Sequence, residues 1–195
     1  MSDGGPSPAA VAVVARLGEL GATVGCAESL TGGLLCGALT DVAGASAVVR
    51  GGVVSYSTDL KESVLGVDGG LLAHEGAVHA EVALQMARGV CRVVGSSVGV
   101  ATTGVAGPTE QDGQPVGRVF VAVVAGSVER VRRFDLEGGR AAIRQAAVRE
   151  ALALLSAVLE GPPVFAPDAA PGEAPGEAAE GTAGGLWGGA SEETR

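Results

Sequence analysis

The sequence predicts an α/β fold, a single three-layer α/β/α domain whose mixed sheet includes one antiparallel hairpin. Three observations carry the prediction. Helical and strand-like apolar periods alternate along residues 1–160. Two β-rich runs, 116–125 (VGRVFVAVVA) and 128–136 (VERVRRFDL), are separated only by Gly126-Ser127, a hairpin signature. Apolar residues make up 47% of the chain but aromatics only 3%, so the core has to be Ala, Val and Leu, as where helices pack closely on a sheet.

The elements follow in order. Residues 8–20 (PAAVAVVARLGEL) form an amphipathic helix with Gly21 as its C-terminal stop. Residues 23–27 (TVGCA) read as a buried strand leading into a helix from Thr31 to Asp41. A second strand is expected over 48–56 (VVRGGVVSY) and a short helix over 58–65 (TDLKESVL). A long helix over 80–94 opens at Ala80-Glu81, and 97–103 (SVGVATT) is a further β-rich run. After the hairpin, a helix from Arg140 to Leu159 closes the domain. From Gly161 the composition changes: 27 of 35 residues are Gly, Ala, Pro, Asp or Glu. Such a segment cannot bury enough surface to order itself, so 1–160 is the expected domain and 161–195 a disordered tail carrying a lone Trp187.

Charge and cysteine content narrow the classes of function. Of the net charge of −9, the tail contributes −5 from six acids and one Arg, which leaves the body at −4. A mildly acidic body does not attract phosphate backbones over a broad face, so no nucleic-acid partner is expected. Cys26, Cys36 and Cys91 lie in apolar stretches without zinc-ligand spacing and read as buried free thiols of a reducing compartment. The first residues lack the pattern of a signal peptide, and no apolar run reaches the roughly 18 residues of a membrane span. The expectation is a cytoplasmic protein with no membrane partner.

Most common catalytic motifs are absent: GxxxxGK[ST], GxGxxG, HExxH and SxxK find no match, and His74 and His79 are the only histidines. What remains is three polar, Gly-rich junctions at predicted strand ends, where α/β sheets hold ligands. In the first, Ala27-Glu28-Ser29-Leu30-Thr31-Gly32-Gly33, Ser29 stands just ahead of the predicted helix, whose free N–H groups suit an anion or oxyanion. Capping the helix is the plainer role for Ser29 or Thr31. The second, Gly51 to Lys61, holds the chain's only Tyr, Tyr56, and its only Lys, Lys61, against twelve Arg. A lone Lys in so Arg-rich a chain points to a task Arg cannot perform, such as losing a proton near neutral pH, although a solvated Lys on a short helix is the plainer alternative. The third, Ala101 to Pro108, offers Thr103, Gly104 and Gly107 to a pocket, or a simple turn. Arg118, Arg140 and Arg144 are the cations available for a phosphate, and each reads equally as a surface charge.

The segments AESLTGGLLCGALTDVAGAS, GGVVSYSTDLKESVLGV, GAVHAEVALQMARG, TTGVAGP and PVGRVFVAV, in register from Val11 to Leu159, resemble the successive motifs of the CinA C-terminal domain family of nicotinamide-nucleotide amidohydrolases. The resemblance implies a compact α/β/α domain, commonly a homodimer, that hydrolyses the carboxamide of nicotinamide mononucleotide to nicotinate mononucleotide and ammonia. It implies no metal or organic cofactor. It also implies a catalytic group of Ser29, Tyr56 and Lys61, with Thr31, Gly32, Gly33, Thr103, Gly104, Gly107 and Arg144 at the nucleotide. Two departures stand out: the loop Thr109-Glu110-Gln111-Asp112-Gly113-Gln114 is poorer in Gly and Thr than is usual in the family, and Gly138-Gly139-Arg140 replaces a frequent Gly-Asp-Arg. A non-catalytic nucleotide-sensing module of the same fold is the competing expectation.

Overall fold

The computed structural model describes residues 5–161, so the tail read over 161–195, with Trp187, lies outside the described residues apart from Gly161. The elements run α1 (Pro8–Glu19), β1 (Val24–Glu28), α2 (Leu34–Thr40), β2 (Val49–Val54), α3 (Thr58–Ser63), α4 (Gly69–Glu75), α5 (Ala80–Val94), β3 (Val98–Gly104), β4 (Arg118–Ala125), β5 (Val128–Asp135) and α6 (Arg140–Leu159). Five strands form one sheet in the order β2-β1-β3-β4-β5. Strands β2, β1 and β3 are parallel, and β3, β4 and β5 are antiparallel. The predicted hairpin is present, with Ala125 paired to Val128 across Gly126-Ser127.

Two apolar layers sandwich the sheet. On one face α1, α2 and α6 bury Val13, Leu17, Leu35, Leu39, Leu152 and Leu155 against Cys26, Val100 and Val121. On the other α5 brings Val82, Ala83, Met86 and Val90 onto Ala27, Ala101 and Ala122. The side chains are small, as the scarcity of aromatics required. Gly99 of β3 shows how closely the layers approach: a Cβ built there would stand 2.1 Å from the carbonyl oxygen of Ala87 in α5. No helix among the described residues is long and apolar enough to cross a membrane.

Two local expectations are corrected. Helix α2 begins at Leu34 rather than Thr31, because Gly32 (φ 59°) and Gly33 (φ 94°) turn the chain through left-handed backbone before the helix can start. Helix α4 falls where the sequence predicts no element: two glycines open it and mask the helical period, although Asp68 caps it by accepting from the N–H of Leu71.

The strand order positions the site. The chain leaves β1 through α2 to reach β2 on one side, and returns through α3, α4 and α5 to β3 on the other. The carboxyl ends of β1, β2 and β3 therefore flank the point where the winding reverses, and open the crevice in which such sheets bind ligands. The three junctions singled out in the sequence are those three strand ends.

Candidate active site

Register brings the reactive side chains together. Glu28 pairs with Val54 on one side and Thr102 on the other, so Ser29, Ser55 and Thr103 come next, side by side. Strand alternation turns all three to the α5 face, where Ala27, Val53 and Ala101 each lie two residues earlier. Thr103 accordingly donates to the carbonyl of Ala77 at 2.7 Å.

Lys61 comes to this cluster from α3. Its side chain is only 1% exposed, the largest of the fully buried ones. Its Nζ donates to the carbonyl of Ser55 at 2.7 Å and reaches Ser29 Oγ at 3.3 Å. Burial disfavours the ammonium and lowers its pKa from the ordinary 10.5 to about 8, with Asp112 and Asp59 pulling the other way. With a pKa of about 8, about a tenth of the amine is neutral at pH 7 and carries a lone pair, and the Ser55 carbonyl takes one of its N–H groups. The remaining geometry lets that lone pair accept the Ser29 hydroxyl proton.

Above this pair lies a cavity of about 240 Å³, walled by Ser29, Leu30, Tyr56, Gly104 to Gly107, Thr109 to Gln111 and Arg140. Tyr56 is 57% exposed, and its Oη accepts from Arg140 Nη2 at 2.6 Å. Arg140 Nη1 donates to the carbonyl of Gly107 at 2.8 Å, so one guanidinium joins the second and third junctions across the cavity. A second cavity of about 190 Å³, between β5 and α6, is lined by Val128, Val131, Leu154 and Val158 with Arg130 and Arg132 and holds no nucleophile.

The residues named from the sequence divide into two sets. Ser29, Tyr56, Gly104 and Gly107 line the cavity, and Lys61 stands directly beneath Ser29. Thr31, Thr103 and Arg144 brace the strand ends from within. Thr31 Oγ1 shares a hydrogen bond with Thr102 Oγ1 at 2.7 Å, and Arg144 donates to the carbonyls of Leu30 and Thr31 at 2.9 and 2.8 Å. Gly32 and Gly33 form the turn between β1 and α2, with Gly32 packed under the Arg144 guanidinium.

Glu28 is the residue that sequence reasoning passed over. Buried at the end of β1, its carboxylate accepts from the N–H groups of Gly33, Leu35 and Cys36 at 2.9, 3.1 and 2.8 Å. It thereby takes up the helix N-terminus that the sequence had offered to an oxyanion or phosphate. No capping-box spacing announces it, because the carboxylate stands ahead of the turn instead of inside the helix. Arg140 did carry a signal: it opens α6, where a cation runs against the helix dipole.

Both departures from the family motifs acquire a place. Asp112, held at φ 52°, accepts from the N–H of Ala77 at 3.0 Å and anchors the loop whose Thr109, Glu110 and Gln111 wall the cavity. Gly139 is the N-cap of α6 and supplies no side-chain cap, while Arg140 is oriented by Tyr56 and Gly107.

Fold and site together define a mixed-sheet α/β/α domain with a serine–lysine pair at the ends of three parallel strands. The chain belongs to the CinA C-terminal domain family, whose model matches residues 7–159. It is 50% identical over 151 residues to a CinA-like protein of Frankia casuarinae, and 43% identical over 142 residues to a putative competence-damage inducible protein of Bacillus subtilis. These matches cover 77% and 73% of this chain but 35% and 34% of the relatives, so the chain spans about a third of their length. Among solved structures, the competence/damage inducible protein CihA of Agrobacterium tumefaciens is similar at 39% identity with a TM-score of 0.75, covering 83% of this chain and all of that one. A CinA superfamily protein of Klebsiella pneumoniae is similar at 33% identity with a TM-score of 0.75, over 77% of this chain and 95% of its own.

Proposed function

We propose that the domain is an amidohydrolase that converts nicotinamide mononucleotide to nicotinate mononucleotide and ammonia, with Ser29 as nucleophile and Lys61 as its base. The observation that carries this reading is the buried Lys61 Nζ at 3.3 Å from Ser29 Oγ, with a pKa lowered to about 8. A module that only bound nucleotide would gain nothing from burying its one lysine against a serine hydroxyl.

In this reading Lys61 takes the Ser29 proton directly as Oγ bonds to the amide carbon. The tetrahedral intermediate then breaks its C–N bond, and Lys61 returns the proton to the departing nitrogen, which leaves as ammonia. Water adds to the resulting ester, one proton passing through Lys61 back to Ser29 Oγ as the carboxylate is released. Because Glu28 occupies the start of α2, the oxyanion draws its donors from the cavity wall at Leu30, Ala106 or Gly107. Tyr56 and Arg140 stand at the cavity as a pair, the guanidinium supplying the cation for a nucleotide phosphate. Gly104 and Gly107 admit the substrate to the backbone, while Thr31, Gly32, Gly33, Thr103 and Arg144 contribute by fixing the strand ends. No metal or cofactor enters the scheme, and a homodimer remains the expected assembly.

The test is ammonia release from nicotinamide mononucleotide and from free nicotinamide, with Ser29→Ala as control. Release from the nucleotide alone, abolished in Ser29→Ala, is expected. Equal rates on both substrates, or activity that survives Ser29→Ala, overturns the proposal.

A further inference from the structure

Ser55 is fully buried, and its Oγ is the one buried side-chain polar atom among the described residues without a hydrogen-bond partner. Buried hydroxyls are nearly always satisfied, so an unpaired one at the edge of a reactive pair calls for an explanation in the chemistry. Its backbone already serves that pair, since the Ser55 carbonyl accepts from Lys61 Nζ at 2.7 Å.

We propose that Ser55 is a positioning residue for the base, its Oγ accepting the N–H of Lys61 that neither the Ser55 carbonyl nor Ser29 engages, in a hydrogen bond that strengthens once Lys61 has become an ammonium. The inference rests on the reading of Lys61 as the base to Ser29. A neutral amine has two N–H groups and a lone pair; the Ser55 carbonyl takes one N–H, and the lone pair faces the Ser29 hydroxyl. When the proton transfers, the nitrogen carries three N–H groups. One stays on the Ser55 carbonyl, the new one points back to the Ser29 oxygen or the departing nitrogen, and the third, carried over from the neutral amine, now shares the positive charge and needs an acceptor more than before. The Oγ and carbonyl oxygen of one serine lie within about 4 Å of each other by covalent geometry, and χ1 rotates between staggered positions. The same residue can therefore hold the nitrogen by both oxygens. An acceptor that binds the ammonium more strongly than the neutral amine favours the state after proton transfer, which is the state catalysis has to stabilise.

The charged groups around Lys61 are Asp59 on its own helix and Asp112 on the loop after β3, both of which favour the ammonium. From the remaining elements, Glu28 of β1 is held by the backbone of α2, His79 caps α5 by accepting from the N–H of Glu81, and Arg140 of α6 is turned to Tyr56 and Gly107. None of these supplies the third acceptor through a hydrogen bond to Nζ. Removing Ser55 Oγ costs the ammonium more than the neutral amine, so the midpoint of Lys61 has to fall. One hydrogen bond to a charged group corresponds to about one pH unit.

The chain's single Lys makes this directly measurable. Lysine labelled with carbon-13 at Cε gives one side-chain resonance, which can be titrated in the full chain without substrate. The wild-type midpoint is expected at about 8. Ser55→Ala is expected to titrate about one pH unit lower, and Ser55→Thr, which keeps the hydroxyl, with the wild type. Should Ser55→Ala fail to fold by circular dichroism, Ser55→Cys gives the same test, because a thiol is a weak acceptor. A folded Ser55→Ala or Ser55→Cys that titrates with the wild type overturns the proposal. A merely structural role for Ser55 would change the melting temperature and leave the midpoint in place. The acid limb of kcat/KM for ammonia release is expected to move down with the resonance. Absence of ammonia release by the wild type would instead refute the amidohydrolase reading, and the titration would still decide the role of Ser55.

Discussion

Replacing Lys61 by Met exposes the cost of keeping a base inside the fold. Burial lowers the Lys61 pKa from 10.5 to about 8, and each pH unit corresponds to about 1.36 kcal/mol. Between pH 8 and pH 10.5 the unfolded chain binds a proton on this residue that the folded chain does not, so wild-type stability rises with pH across that window. Below pH 8 both states carry the proton, and the folded protein bears a penalty of about 3 kcal/mol relative to alkaline conditions. Met keeps most of the buried stem and has no charge, so Lys61→Met is free of the penalty. It also leaves the Ser55 carbonyl without its donor, a loss that does not vary with pH. The informative quantity is therefore the difference in unfolding free energy between variant and wild type, measured by urea titration from pH 7 to pH 10.5. That difference is expected to shift by about 3 kcal/mol in favour of the wild type over this range. A difference that stays constant with pH means that Lys61 ionises alike in both states, and the argument for a neutral base collapses.

Three further outcomes follow from the same geometry. Glu28→Ala leaves three N–H groups at the start of α2 without their acceptor and is expected to destabilise the domain by about 2 to 4 kcal/mol in urea unfolding; a loss under about 0.5 kcal/mol would contradict the clamp. Because Lys61 reaches Ser29 without an intermediary, Tyr56→Phe is expected to raise KM for the nucleotide while lowering kcat less than about tenfold, and a hundredfold loss in kcat would instead give Tyr56 a proton-relay role. A hydrogen bond from the buried Cys26 thiol lowers the Cys36 pKa to about 7, while burial raises that of Cys91. Peptide mapping after brief iodoacetamide treatment at pH 7.5 is expected to find Cys36 labelled first, and preferential labelling of Cys91 would contradict this order.

Much of this architecture was legible in the sequence, because each strand end combines a β-rich run with small and polar residues that a buried strand would not carry. The hairpin declared itself through Gly126-Ser127, and the isolation of Lys61 among arginines marked it as a candidate base before any geometry was known. What the sequence hid depends on contacts between distant segments. Glu28 reads as an ordinary charged residue after an apolar strand, and only the turn through Gly32 and Gly33 brings the N–H groups of α2 back over its carboxylate. Arg144 and Arg140 share one helix four residues apart and look interchangeable in the sequence. The crossing of α6 over the strand ends sends Arg144 to the carbonyls beneath the cavity and Arg140 into its wall. Ser55 lay inside a recognised motif, yet its unpaired hydroxyl becomes visible only when every neighbour is in place.

The central claim is that Lys61 acts as a neutral base on Ser29, and Lys61→Arg tests it most directly. Arg preserves the positive charge and most of the stem but does not surrender its proton near neutral pH. With circular dichroism confirming the fold and titration calorimetry following nucleotide binding, turnover measured by ammonia release is expected to fall at least about a hundredfold while affinity changes far less. Near-normal turnover by Lys61→Arg would contradict the account, making Lys61 a fixed charge and leaving Ser29 without the base assigned to it.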